Sequence, residues 1–321
     1  MFHLIGAHQD ERADVRETIV STLVRMIEED PRVVYLDCDT MDALGIREMR
    51  ERYPRNVLSC GIQEANMIGV AAGLSAMGRI PYVHSFAAFA TRRCYDQVFL
   101  SVGYAKNSVK IIGTDAGITS AYNGGTHMPF EDVALMRAIP QATVVEATDS
   151  VMAEDLLEKI KEIPGVVYLR TARKRTKAVY APGSGFEIGR GALLREGGDA
   201  TVFACGIMVD AALLAAEAAR GEGLSLRVVD MFSIKPIDRD IIIDSAQKTG
   251  AVVTAEDHST IGGLGDAVAA VLAENVPVPM GRVGVRDLYG EVGSVAYLQE
   301  RFQLTPEHIL DEVKAVIRRK R

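Results

Sequence analysis

Apolar and polar residues follow two alternating spacings along the chain. Near the start, apolar residues recur every three or four positions and share one helical face: Val15, Ile19, Leu23 and Met26. A short, continuously apolar run follows at 33–36. The first spacing is typical of an amphipathic helix, here capped by Asp14, and the second of a buried strand. Alternation of such segments predicts a parallel sheet covered by helices on both faces.

The same alternation predicts the elements of two α/β regions. In the first region we expect strands at 56–60, 80–84, 109–113, 142–146 and 165–169, and helices at 64–77, 92–104, 130–138 and 150–163. In the second region we expect strands at 200–205, 225–230, 251–255 and 281–285, and helices at 208–220, 239–249, 263–274 and from 305 to the end. The predicted fold class is therefore α/β, with two three-layer α/β/α domains built on mostly parallel sheets.

The periodicity fails between 170 and 189, where a basic stretch is followed by glycine and proline. Such a segment is typical of a domain boundary. A chain of 321 residues also exceeds what one hydrophobic core usually organises. We therefore predict a first domain at 1–175, a linker at 176–190 and a second domain at 191–321.

Charge and composition narrow the classes of function. The net charge of −7 argues against a nucleic-acid-binding protein, and the basic cluster at 170–175 fits a small anionic ligand better. No stretch has the length of a membrane span and no basic segment precedes an apolar run, so we expect a cytoplasmic protein without a membrane partner. The four cysteines lie far apart, and we expect no metal site on this chain.

Function is expected in the turns after strands, because ligands of doubly wound sheets bind at the carboxyl ends of the strands. After the strand 56–60, Gly61 makes a turn and Glu64 opens a helix of almost entirely small and apolar residues. Such a helix is predicted to be buried nearly all round, so that its one acid faces a cleft or a partner chain. The alternative is that Glu64 only complements the helix dipole.

Two aromatic residues, Phe86 and Phe89, follow the strand 80–84. Their spacing suits a pair that holds a flat ring, although such a pair is also common in a protein core. Both interpretations are open from these residues alone.

A long loop at 115–129 follows the strand 109–113 and has neither helical nor strand spacing. Loops of this length inside a compact domain are usually functional. His127 comes after two glycines and before a helix, which suits proton transfer or contact with a substrate oxygen. The alternative is a surface histidine that caps the next helix.

A fourth turn, at 254–265, contains Glu-Asp-His-Ser followed by Gly-Gly-Leu-Gly between a strand and a helix. It resembles an anion-binding turn, but close packing of the helix on the strand is the better default.

Taken in order and spacing, these four stretches resemble the pyrimidine-binding and C-terminal domains of the transketolase family, over essentially the whole chain. The resemblance implies thiamine diphosphate as the cofactor, with Glu64 bonded to N1′ of its aminopyrimidine and thereby activating it. It also implies that Phe86 and Phe89 pack on the pyrimidine and that His127 contacts substrate hydroxyls near the reacting carbon.

The resemblance also extends to the substrate, with departures. Arg170 and Arg16 match positions that bind the sugar phosphate. Asn123 stands where the common pattern has Asp, and Asp115 stands where it has a phosphate-contacting His. An aspartate repels a phosphate, so the resemblance supports the reaction class better than it supports a standard pentose phosphate.

The family's Gly-Asp-Gly segment, which holds Mg²⁺ and diphosphate on an N-terminal domain, is not found in this sequence. The resemblance therefore implies the C-terminal subunit of a split transketolase. Its expected partners are an N-terminal subunit that supplies the metal and diphosphate site, a second copy of this chain within an α2β2 assembly, and a small sugar substrate.

Three alternatives are open at this point. The nearest is the β-type subunit of a 2-oxo acid dehydrogenase, against which the phenylalanine pair and Thr126-His127-Met128-Pro129 favour ketol transfer. A deoxyxylulose-phosphate-synthase-like enzyme is suggested by Tyr95-Asp96-Gln97. From a different class, the chain is a non-catalytic scaffold or regulatory subunit, against which retention of Glu64 and His127 argues.

Overall fold

A computed structural model describes residues 1–11 and 14–320 and shows two mostly parallel sheets with their helices. The strands are β1 (Leu4–Asp10), β2 (Val33–Asp37), β3 (Val57–Ser59), β4 (Ile80–Phe86), β5 (Val109–Thr114), β6 (Thr143–Glu146), β7 (Val166–Arg170), β8 (Lys177–Tyr180), β9 (Ala192–Arg195), β10 (Ala200–Ala204), β11 (Leu226–Asp230), β12 (Ser233–Lys235), β13 (Val252–Ser259) and β14 (Met280–Val285).

The helices connect these strands. The α-helices are α1 (Val15–Glu29), α2 (Met41–Leu44), α3 (Arg47–Arg52), α4 (Glu64–Ala76), α5 (Ala87–Ala90), α6 (Tyr95–Gln97), α7 (Asp132–Ala138), α8 (Ser150–Ile160), α9 (Met208–Gly221), α10 (Arg239–Thr249), α11 (Leu264–Asn275), α12 (Val295–Arg301) and α13 (Pro306–Ile317). Further helical stretches are 3-10 turns at Arg92–Cys94 and Gly117–Asn123 and a π-helical stretch at Val98–Tyr104.

The first sheet has seven strands in the order β12-β6-β7-β5-β4-β2-β3. All neighbours run parallel except β12, which is antiparallel to β6. Because β4, β5 and β7 are parallel neighbours, the segments that follow them leave the sheet at one edge. This edge is where a ligand site is expected.

Helices cover both faces of this sheet, and side-chain alternation on β2 shows why. Tyr35 shares one core cluster with Leu23 of α1, whereas its neighbour Leu36 shares the other cluster with Ile68 of α4. Successive side chains of a strand point to opposite faces, so a strand that is buried on both faces is continuously apolar. Each such buried side chain contributes roughly 1.5 to 3 kcal/mol.

The second sheet has five strands in the order β14-β13-β10-β11-β9, and only β9 is antiparallel to its neighbour. A two-stranded antiparallel sheet joins β1 to β8. The predicted α/β class with mostly parallel sheets is confirmed.

Several elements differ from the prediction. The sequence pattern missed β1, β8, β9 and β12, and β8 lies inside the predicted linker 176–190. These strands have three to seven residues, too few for a reliable two-residue alternation. The single helix predicted at 92–104 is instead divided into a 3-10 turn, a short α-helical turn and a π-helical stretch.

The two units interlock, because β12 follows β11 of the second sheet in sequence but pairs with β6 of the first sheet. The division at 1–175, 176–190 and 191–321 stays a prediction. Within residues 1–11 and 14–320, none of the helices combines the length and apolar character needed to cross a membrane.

Candidate active site

Glu64 is the first residue of α4 and is almost completely buried, with 3% of its surface exposed. Its Oε1 atom accepts hydrogen bonds from Arg93 Nη1 at 2.7 Å and from Ser85 Oγ at 3.5 Å. Its Oε2 atom is buried and has no hydrogen-bond donor among the described residues. A buried acceptor without a partner is costly, so this oxygen is suited to a donor that comes from outside the chain.

Two aromatic rings lie beside this carboxylate. Phe86 ends β4 and Phe89 lies in α5, and their ring centroids are 6.1 Å apart. The guanidinium carbon of Arg93 lies 3.7 Å from the Phe89 centroid while the same group bonds Glu64. The carboxylate and an aromatic face therefore meet at one place, as binding of a flat nitrogen heterocycle requires.

His127 completes this group. Its ring centroid lies 4.9 Å from that of Phe89 and 5.7 Å from that of Phe86. Burial, with smaller effects from the charges of Arg93 and Arg92, lowers the pKa of His127. The imidazole is therefore neutral at pH 7, and it can accept a hydrogen bond from a hydroxyl group or donate one to it.

Asp115 follows β5 and is buried against a cation. Its Oδ1 atom lies 3.3 Å from Arg173 Nη2, and its Oδ2 atom accepts a hydrogen bond from Thr114 Oγ1 at 3.2 Å. Burial raises the pKa of Asp115, and the charge of Arg173 opposes this effect. The carboxylate expected to repel a phosphate is therefore partly neutralised by an arginine that the sequence prediction did not assign to the site.

Arg173 is a second cation beside the aromatic pair, after Arg93. Its guanidinium carbon lies 5.4 Å from the Phe86 centroid, and its buried Nε atom has no acceptor among the described residues. It comes after the carboxyl end of β7, which is where ligand contacts are expected in a parallel sheet. That position is the signal in the sequence that could have identified it.

Arg170 is not placed to bind a sugar phosphate, and this assignment is corrected. Its side chain is 1% exposed and is held by Asp132 Oδ2 at 2.8 Å, by Glu146, and by the carbonyl oxygens of Pro129 and Asp257. All three guanidinium nitrogens donate to protein oxygens, so none is available to an anion from outside. Arg170 ties the first unit to β13 of the second unit instead.

The two remaining substrate assignments stay predictions. Arg16 lies in the first turn of α1, where its Nε atom is 3.2 Å from Asp14 Oδ2 and its backbone N–H donates to Arg173 O at 2.9 Å. Asn123 is exposed at the end of the 3-10 turn within the 115–129 loop. Arg93 and Ser85 were missed, because nothing in the sequence shows that they face Glu64.

The glycine-rich turn at 254–265 holds a carboxylate of the chain itself. Glu256 accepts the backbone N–H groups of Leu264 at 2.7 Å and Gly265 at 2.8 Å, and burial raises the pKa of Glu256 to about 7. A Cβ atom at Gly263 would lie 1.9 Å from Glu256 Oε2. Close packing is therefore the structural role of this turn.

Within the described part of the chain, no group of three or more metal-binding side chains is present.

Comparisons with known proteins agree with this geometry. Residues 11–178 match the family model "Transketolase, pyrimidine binding domain", and residues 189–309 match "Transketolase, C-terminal domain". The 6-deoxy-6-sulfo-D-fructose transketolase subunit SqwH of Clostridium sp. (strain MSTE9) is 49% identical over 306 residues, which cover 95% of each chain. An apulose-4-phosphate transketolase subunit of Phocaeicola vulgatus is 33% identical over 273 residues, 85% of this chain and 87% of that protein.

A solved structure shows the same architecture. A chain described as "Split gene transketolase, inactive beta4 tetramer" superposes with a TM-score of 0.90 at 42% identity, over 96% of this chain and 100% of that chain. These relatives are themselves subunits of about the length of this chain. The chain therefore belongs to the transketolase family, as the C-terminal subunit of a split transketolase.

Proposed function

We propose that this chain supplies the pyrimidine half of a thiamine diphosphate site, and that a second subunit completes the site for ketol transfer between sugars. The observation that carries this proposal is the buried, unpartnered Oε2 atom of Glu64 beside Phe86 and Phe89. When bound, thiamine diphosphate supplies the nucleophilic carbon and the electron sink needed to break the carbon–carbon bond next to a ketone. The family implies this cofactor.

The residues of this chain have separate roles in that site. Glu64 binds the aminopyrimidine and holds or moves a proton at Oε2, where a low-dielectric setting strengthens the interaction. Phe86 and Phe89 offer aromatic faces to the ring and limit the access of water. His127 binds a substrate hydroxyl as a neutral imidazole beside this aromatic pair.

The substrate class that fits best is a ketose with a terminal sulfonate. One relative is named for 6-deoxy-6-sulfo-D-fructose and another for apulose 4-phosphate, so both names specify an anionic sugar. Here Arg173 shares its charge with Asp115 at 3.3 Å. A sulfonate carries one negative charge and a phosphate ester nearly two, and because Asp115 offsets Arg173, this pair leaves no positive charge to balance the second charge of the phosphate.

This preference is tested by comparing kcat/KM for 6-deoxy-6-sulfo-D-fructose and fructose 6-phosphate in the complete enzyme. We expect the sulfonate to be preferred in the wild type. Asp115→Asn removes the negative charge of this side chain and should reduce the ratio of the two kcat/KM values by about tenfold. This factor corresponds to the removal of one like charge in a partly screened site. A wild-type preference for the phosphate would contradict the proposal.

The second subunit is proposed to hold Mg²⁺ and the diphosphate.

The single chain exposes large apolar side chains on α4, on the residues that flank it and on the π-helical stretch near it: Ile62 at 71%, Val70 at 38%, Met77 at 82%, Leu100 at 48% and Tyr104 at 81%. In the single chain one face of α4 is exposed, so its predicted burial nearly all round stays a prediction for the assembly. We propose that a second copy covers this face within an α2β2 assembly.

The experiment that tests the proposed function is a calorimetric titration of thiamine diphosphate and Mg²⁺. It is made into this chain alone and into its mixture with the diphosphate-binding subunit. We expect tight binding only in the mixture, because this chain offers Glu64 and the aromatic pair but no metal ligand set within its described residues. Equally tight binding to the single chain would contradict the split site.

A further inference from the structure

The loop 115–130, termed here the site loop, carries Asp115 and His127 and lies against the second unit. We propose that the second unit fixes the working conformation of the site loop, with Asp257 and Gly290 as its positioning residues. This inference rests on the proposed function, because it gives the second unit a role in placing His127 against the substrate.

The first point of attachment is Asp257 near the end of β13. Its Oδ1 and Oδ2 atoms each lie 3.1 Å from the backbone nitrogen of Ile118 and accept its N–H. Gly117 has φ of 50°, and a Cβ atom there would lie 2.2 Å from the Asp257 carboxyl carbon. The carboxylate thus fills the space beside a glycine in the left-handed region, a conformation that other residues rarely adopt and a contact that a Cβ atom would prevent.

The second attachment is a direct contact of two backbones. A Cβ atom at Gly125 would lie 2.2 Å from Gly290 O, and one at Gly290 would lie 3.0 Å from Gly125 Cα and 2.6 Å from Met128 Sδ. A third glycine of the loop, Gly124, is packed in the same way against Val292. A Cβ atom at either position 125 or position 290 would collide with the facing segment, so the geometry of the contact depends on glycine in each unit.

A displacement at this contact reaches His127 within a few bonds. The backbone N–H of His127 donates to Gly124 O at 3.0 Å. Ser120 Oγ lies 2.6 Å from Asp115 O and 2.7 Å from His127 O, which ties the two ends of the loop together. The loop therefore moves as one unit with the surface that holds it.

The loop is also under backbone strain. Ala121 has φ of 47° and ψ of −117°, a region that non-glycine residues rarely adopt. Such a conformation is costly and persists only where the surroundings impose it. The contacts of the second unit with Ile118 and Gly125, on either side of Ala121, are the surroundings that impose it here.

The test compares Gly290→Ala with Gly198→Ala, a control in the same unit where a Cβ atom meets nothing within 4 Å. In the complete enzyme we expect Gly290→Ala to lower kcat/KM for the ketose by about ten- to a hundredfold, as misplacement of a substrate-contacting group does. The thiamine diphosphate Kd should stay within about twofold, because Glu64, Phe86 and Phe89 lie outside the loop. A purely structural loss would weaken both.

A second readout needs no activity. In the single chain, amide hydrogen exchange of residues 117–127 should be about tenfold or more faster in Gly290→Ala than in Gly198→Ala. Asp257→Asn keeps the side-chain volume but loses one acceptor, and should accelerate the same amides if Gly290→Ala does not fold. If the wild-type complex is inactive, the proposed function is refuted. The comparison of amide exchange in the single-chain variants then still tests whether the second unit holds the site loop.

The contact between Gly125 and Gly290 also predicts that substitutions on its two sides are energetically coupled. Gly125→Ala and Gly290→Ala disturb the same contact from opposite units, so the double variant should lose much less than the product of the two single losses. Multiplicative losses, or loop exchange in Gly290→Ala equal to that in Gly198→Ala, would overturn the proposal.

Discussion

Two arginine–carboxylate groups of this protein contrast in what surrounds them. Arg93 pairs with Glu64 at the site, with 44% of the arginine side chain exposed and its guanidinium carbon 3.7 Å from the Phe89 centroid. Arg170 pairs with Asp132 and Glu146 in the interior, with 1% of its side chain exposed and its guanidinium nitrogens all donating. The first group can exchange a partner for a ligand, whereas the second can only hold the fold together.

The largest expected effect is on kcat and comes from the Arg93–Glu64 group. Glu64→Gln keeps the shape of the side chain but removes its ability to hold a proton for the aminopyrimidine. We expect kcat of the complete enzyme to fall about a thousand- to ten-thousandfold, or about 4 to 5 kcal/mol. The measurement is a single-turnover assay with the partner subunit and a ketose donor.

The control for Glu64→Gln is the stability of the single chain. The denaturant midpoint should change little, because the amide oxygen of Gln can still accept from Arg93, and Oε2 has no hydrogen bond within the described chain to lose in the absence of the cofactor. Unchanged activity in a stable variant would instead support the scaffold alternative.

The buried Arg170 group should instead show its main effect on the stability of the fold. Arg170→Met leaves Asp132 and Glu146 without their cation in a dry interior. We expect a loss of about 3 to 5 kcal/mol in the free energy of unfolding. Arg286→Met is the matched control, since Arg286 pairs with Glu312 on the surface with 62% of its side chain exposed and should cost below about 1 kcal/mol. Equal losses in the two variants would remove the distinction between the groups.

Another buried acid, Asp230, sharpens the comparison because hydroxyl groups, rather than an arginine, donate to it. Asp230 Oδ2 accepts hydrogen bonds from Thr148 Oγ1 at 2.6 Å and Tyr180 OH at 2.8 Å. Burial raises the pKa of Asp230 to about 7, and the charges of Asp149 and Glu146 add to the increase. Between about pH 4 and 7 the folded state therefore binds more protons than the unfolded state, so this group contributes stability at low pH that is lost as the pH rises toward 7.

Asp230→Asn removes that titration. We expect the variant to gain about 1 to 3 kcal/mol relative to the wild type between pH 5 and pH 8, measured by urea unfolding at both values. The surface substitution Asp42→Asn is the control. A constant difference between wild type and Asp230→Asn at both pH values would contradict this expectation.

The same contrast explains what the sequence could predict. Glu64, Phe89 and His127 follow strands of the first sheet and Phe86 ends one, and the carboxyl ends of such parallel strands meet at one edge. Strand and helix spacing therefore predicted the fold class and brought these four residues together. The spacing within a strand also made both faces of the first sheet apolar and thus recognisable.

Arg170 and Arg173 show where sequence spacing stops being informative. Both are arginines of one basic stretch, but Arg170 is still inside β7 whereas Arg173 lies three residues beyond it. The boundary of a strand decides which of them faces the ligand edge, and boundaries are set by tertiary contacts rather than by periodicity. Arg93 was missed for a related reason, because its contact with Glu64 joins two elements 29 residues apart.

The smallest expected effect concerns Arg93 itself. Its guanidinium is planar, donates to Glu64 Oε1 at 2.7 Å and lies 3.7 Å from the Phe89 centroid, so it covers an aromatic face that the aminopyrimidine requires. Arg93→Ala should therefore tighten thiamine diphosphate binding to the complete enzyme severalfold, because less of the site is self-occupied. The stability of the single chain should fall by about 1 to 3 kcal/mol, since the buried Glu64 carboxylate is left with only the Ser85 hydroxyl at 3.5 Å. Calorimetry on Arg93→Ala and on the surface control Arg47→Ala measures the difference, and weaker binding in Arg93→Ala would show that this arginine holds the cofactor rather than competing with it.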